Sequence, residues 1–78
     1  MADGKLPKLG WRKIVKALGE AGFHVTHQRG SHIYLTDKER RHKVTVPRHD
    51  QVMTGTLLSI IEQSGLTREQ FMDLLDSG

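Results

Sequence analysis

The chain has no cysteine, so no disulfide braces the fold and no thiolate metal site is available. No apolar run approaches the ~20 residues that a membrane span needs. The first residues also lack a signal-peptide pattern, so the expectation is a cytoplasmic protein with no membrane partner. Internal repeats and low-complexity segments are missing. No carboxylate cluster accompanies the five histidines. His24 and His27, three apart on an extended segment, point to opposite faces and cannot chelate one ion. No metal and no other cofactor is expected.

What is present is one small domain of 78 residues, 36% hydrophobic and 27% charged, near the lower limit at which a single core holds together. The net charge of +3 hides an asymmetry. Residues 1–48 hold eleven of the twelve Lys and Arg but four of the nine Asp and Glu. Residues 49–78 set Arg68 against Asp50, Glu62, Glu69, Asp73 and Asp76. A basic front half suits a polyanionic partner, because phosphates attract such a surface and release counterions on contact.

Residues 1–9 show no period and read as a flexible arm, with Leu6 or Leu9 tucking onto the core; residues 10–78 form the domain. Trp11, Ile14, Val15, Leu18 and Ala21 fall on one helical face. Gly10 is the N-cap, a weaker choice than Ser or Asp, and Gly22 ends the helix in the left-handed conformation. From Phe23 to Arg29 the chain alternates, with Phe23, Val25 and His27 inward and His24, Thr26 and Gln28 outward. Gly30 hinges this segment onto a second strand, His32 to Thr36. Asp37 to Arg40 links it to a third over Arg41–Val46, where His42, Val44 and Val46 face inward and Pro47 ends the ladder.

Thr54 or Thr56 caps a second helix that stops at Gly65. Thr67 and Gln70 form a capping box for a short last helix. The expected fold class is α+β: α-β-β-β-α around a three-stranded antiparallel sheet, plus the terminal helix. Both main helices must cover the apolar sheet face, which leaves the other face open.

His32 stands on that open face, where it adds nothing to packing. Imidazole is the one side chain whose unperturbed pKa, ~6.5, suits it to exchange protons near neutrality. His32 is therefore the candidate catalytic residue.

Four motifs then occur in order: Leu18…Ala21-Gly22-Phe23, Gly30-Ser31-His32, Val46-Pro47 with His49, and Gly55-Thr56-Leu57…Ser64-Gly65-Leu66. Over about residues 8–72 they resemble the HicA (YcfA-like) family of small toxins. The resemblance implies a fold like that of double-stranded-RNA-binding domains. It also implies an endoribonuclease that cleaves mRNA, and a HicB-type antitoxin partner that blocks it. By the same resemblance the family's histidine maps onto His32.

In the mechanism this suggests, neutral His32 takes the proton from a ribose 2′-OH, which attacks the adjacent phosphate without a metal. Gly30 permits close approach of the RNA backbone, and Ser31 donates to a phosphate oxygen. The general acid is left open: Tyr34, ~6.6 Å along the same face, reads as an RNA contact short of the leaving oxygen, a stacking platform or plain surface, and Lys43 as a stabiliser of the phosphorane. Arg12, Lys13 and Lys16 on the first helix, with Arg29, Lys43 and Arg48, are candidate phosphate contacts for a single-stranded substrate. His49 reads as a loop residue that ties the turn before the second helix. The competing functions are a non-catalytic RNA-binding module and a protein-docking module with the same open face.

Overall fold

The stripe from Trp11 to Ala21 forms α1 (Trp11–Glu20) in a computed structural model that describes residues 8–77. It buries Ile14, Ala17 and Leu18. Gly10 is the N-cap and makes no side-chain hydrogen bond. The reason for glycine is steric, since a Cβ there would stand 2.7 Å from the Asp50 carbonyl oxygen. The Trp11 N–H is satisfied instead by the His49 carbonyl, at 3.0 Å. Gly10→Ser, nominally a better cap, is therefore expected to destabilise the fold by about 1–3 kcal/mol through overpacking. A urea midpoint at or above the wild-type value would contradict this account.

Past Ala21 the chain closes a Schellman motif. The Gly22 N–H donates to the Gly19 carbonyl at 3.0 Å and the Phe23 N–H to the Leu18 carbonyl at 2.9 Å, with Gly22 at φ +98°. Phe23 is buried and carries the chain into the sheet.

The sheet holds β1 (His24–Arg29), β2 (His32–Thr36) and β3 (Lys43–Pro47), antiparallel and in sequence order. Gly30, at φ +57°, takes the first central place of the two-residue β1–β2 turn, where a side chain would be strained. Two boundaries differ from the sequence reading. β3 starts at Lys43 rather than Arg41, because the Asp37 carboxylate takes the backbone N–H groups of Arg41 (2.7 Å) and His42 (3.2 Å) before the ladder can. Pro47 belongs to β3 instead of ending it, paired with His32. The Thr45 N–H points to the outer edge, where it donates to Gln63 Oε1 at 3.1 Å. Pro47, two residues on, shares that direction, so the N–H it lacks is one the ladder never needs.

Ile33, Leu35, Val44 and Val46 are buried on the face toward α1 and α2 (Thr54–Ser64). Both helices pack on β3, while β1 is exposed at every position. The N-cap of α2 is Met53, not Thr54 or Thr56, and no side chain caps it. Its end is as expected, with Gly65 left-handed at φ +77°. The capping box of α3 (Arg68–Ser77) is reciprocal: the Gln70 N–H donates to Thr67 Oγ1 at 3.0 Å and the Thr67 N–H to Gln70 Oε1 at 2.9 Å. At ten residues α3 matches α1 in length, and it packs on α1 with Phe71 fully buried.

The architecture is thus α+β, the expected α-β-β-β-α plan followed by α3. Of the arm expected over residues 1–9, residues 1–7 lie outside those described. Leu9 is buried and bridges Val52.

Candidate active site on the open sheet face

Strand alternation puts His32 and Tyr34 on the face opposite Ile33 and Leu35, and cross-strand pairing decides what joins them. His32 is exposed and lies opposite Arg29 of β1 and Pro47 of β3. Its ring centroid is 6.5 Å from that of Tyr34, tilted by 39°. Thr36, next on that face, pairs with Lys43. His32, Tyr34, Arg29 and Lys43 therefore share one surface, with Gly30 and Ser31 in the turn that leads into it.

Sequence alternation assigned His27 to the inward side, and here the structure corrects it. A β-bulge between Val25 and His27 shifts the register, so that His27 pairs with Tyr34 on the open face. The two rings stack, 4.4 Å between centroids and 13° between planes. Gln28 moves to the other face, opposite Ile33. Thr26 Oγ1 donates to the Tyr34 carbonyl at 3.2 Å and lies 3.1 Å from His27 Nδ1, which ties the bulge to the neighbouring strand.

His42, the other histidine assigned inward, lies outside β3 with its ring against Gly65, and its Nδ1 is 3.0 Å from Asp37 Oδ2. Burial raises the pKa of Asp37, but the hydrogen bonds from the His42 side chain and from the His42 and Arg41 backbones outweigh it. The carboxyl ends below its ordinary value. Among the described residues no group of three His, Asp or Glu gathers in a way that could hold a metal ion.

The basic residues divide into two sets. Lys13 and Lys16 border a groove between α1 and α3, beside Leu9, Met72 and Asp76, in the helical layer rather than on the open face. The structure does not bring them to His32. Arg12 and Arg48 do approach that end of the sheet. Arg48 follows the cross-strand partner of His32, its N–H donates to the Ser31 carbonyl at 2.6 Å, and its guanidinium lies 5.3 Å from the Trp11 ring. The Arg12 guanidinium is 4.7 Å from the same ring. His49 ties the loop to α1 through its carbonyl, as a structural residue would.

Two members of this surface escaped the sequence reading. His27 was hidden because Val25-Thr26-His27 alternates without any sign of a bulge. Arg40 reads in the sequence as a plain turn residue, yet it is the one described non-glycine residue with positive φ, at 58°.

A three-stranded sheet with helices on one side, and imidazole, phenol and cations on the other, defines a small α+β domain with one bare sheet face. The family model of the HicA toxin of bacterial toxin–antitoxin systems matches residues 11–66, from the first residue of α1 to the turn before α3, and the chain belongs to that family. Comparison with curated proteins finds no match. Membership makes this chain a toxin of a toxin–antitoxin system, with a cognate antitoxin as its partner. No described helix is long and apolar enough to cross a membrane.

Proposed function

We propose that this chain is an endoribonuclease that cleaves mRNA in the cytoplasm, with His32 as general base, and that a HicB-type antitoxin holds it inactive. The observation that carries this reading is the exposure of His32 on a face with no packing duty, beside a glycine turn and between Arg29 and Pro47. The neutral imidazole accepts the 2′-OH proton, and the resulting oxyanion attacks the adjacent phosphorus. The 5′-oxygen leaves and takes up a proton, giving a 2′,3′-cyclic phosphate and a free 5′-OH, while the imidazolium returns its proton to solvent. Nucleophile and leaving group both belong to the RNA, so no water molecule is consumed.

Gly30 lets the RNA backbone come close to the turn, and the Ser31 hydroxyl donates to a phosphate oxygen. Arg29 and Lys43 neutralise phosphates on either side of His32, and Tyr34 offers a ring to a base. Lys13 and Lys16 are left out of this substrate set because they border the α1–α3 groove. An antitoxin seated on the same face would block both substrate and proton transfer, and would stabilise a small fold by mass action.

End-group analysis of RNA cut by the purified chain tests the chemistry. Cyclic phosphate and 5′-OH ends are expected; 5′-phosphate ends would overturn the mechanism.

A further inference from the structure

Beside Tyr34, on the side away from His32, the open face sinks into a depression of about 420 Å³. Its walls include His24, His27, Tyr34, Thr36, Arg40 and Lys43. Among the described residues no acidic one lines it. The volume lies in the range of small-molecule pockets, which begins at about 300 Å³. The wall formed by Tyr34 and His27 is already a stacked pair of flat rings, with His27 exposed.

The loop that closes the far side is held in an unusual conformation. Arg40 has φ 58°, which side chains other than Gly, Asn and Asp rarely adopt. Asp37 holds it there: its carbonyl accepts the Arg40 N–H at 3.1 Å, and its carboxylate accepts the N–H groups of the next two residues. The cost of this conformation brings no burial, because Arg40 is exposed. What it does is set Arg40 among the lining of a depression that also holds Lys43 and two histidines.

We infer that this depression is a second nucleotide subsite, which holds the base and phosphate of the nucleotide next to the cleaved one in a single-stranded RNA. The base extends the His27–Tyr34 stack, and Arg40 and Lys43 hold the phosphate. The absence of acidic lining disfavours cations, and stacked rings beside two positive charges suit a ligand that joins a flat ring to an anion. Tyr34 links the two subsites, with its ring between those of His27 and His32. This inference rests on the open face meeting RNA, as proposed above.

The test uses two variants of the full chain, Arg40→Gly and His27→Ala. The first removes the guanidinium at a position where glycine is at ease, so the turn is kept. The second removes an exposed ring. The probe is an oligonucleotide made wholly of 2′-O-methyl nucleotides, which cannot be cut through a 2′-OH. Arg40→Gly is expected to lower its affinity severalfold and to reduce the slope of log K against log salt by about 0.7, the value for one phosphate contact on a single strand. His27→Ala is expected to weaken binding by about tenfold with the salt slope unchanged. On cleavable RNA both variants raise KM far more than they lower kcat.

Wild-type affinity and salt slope in both variants would overturn the inference. So would intact RNA binding combined with loss of inhibition by the antitoxin, which would assign the depression to the protein partner. Because the probe is uncleavable, the titration judges the subsite separately from the nuclease reading. That reading fails instead if His32→Ala still cuts RNA.

Discussion

His32→Ala is expected to slow RNA cleavage by about 10²–10⁴-fold, the usual worth of a positioned general base, while the affinity for uncleavable RNA stays near wild type. The expectation of intact binding follows from where the residue sits. His32 is exposed at the first position of β2, and the ladder on either side of it is made by backbone atoms. Removing its ring opens no cavity, so the variant should melt with the wild type. Arg29, Tyr34 and Lys43 remain to hold the strand.

The comparison also separates the competing functions. A non-catalytic RNA binder would cut no RNA with or without the substitution and would lose little affinity. A protein-docking module would show no cleavage to lose. In cells, expression of the wild-type chain without antitoxin should arrest growth, and His32→Ala should relieve the arrest. Undiminished cleavage by a folded His32→Ala protein would remove the imidazole from the mechanism.

Gly65→Ala is the second large expected effect, and it acts on stability alone. Gly65 ends α2 at φ +77°, where a Cβ costs about 1–2 kcal/mol by itself. The added methyl group would also stand 2.5 Å from His42 Nε2 and 3.0 Å from two ring carbons. That ring cannot swing aside without cost, because Asp37 holds its Nδ1 at 3.0 Å. With about 1–3 kcal/mol of overpacking added, the total is about 2–5 kcal/mol. A domain of this size has a stability of roughly 4–12 kcal/mol, so the loss is a large fraction of it.

Urea unfolding measures the effect directly. The double variant Gly65→Ala with His42→Ala isolates its two parts, since removing the ring relieves the clash but leaves the backbone strain. If Gly65→Ala alone unfolds at the wild-type midpoint, the packing of His42 on the helix end is not what the contact distances indicate.

Much of this was legible in the sequence because glycine and capping residues act locally. Gly22, Gly30 and Gly65 all take positive φ as their neighbours demand, and Thr67 with Gln70 makes both bonds of its box. The inward positions of β2 and β3 were equally plain, since Ile33, Leu35, Val44 and Val46 alternate without interruption. What failed to show was everything set by one segment acting on another. The bulge that turns His27 outward is a matter of β1 against β2 register, and β1 is covered by no helix that would enforce an inward pattern. The late start of β3 comes from the Asp37 carboxylate competing for N–H groups. Gly10 looked like a poor cap until the carbonyl of Asp50, forty residues away, was seen to occupy the space a side chain would need. Lys13 and Lys16 were legible as exposed helix cations, but not as neighbours of α3.

The treatment of β3 has a consequence for how copies of the chain associate. Gln63 occupies the Thr45 N–H, and Pro47 has none to offer, so this rim of the sheet is a poor template for another strand. The two rims are therefore unequal, and a pairing of copies through their sheet edges would favour the β1 side, where such a contact closes on itself as a pair.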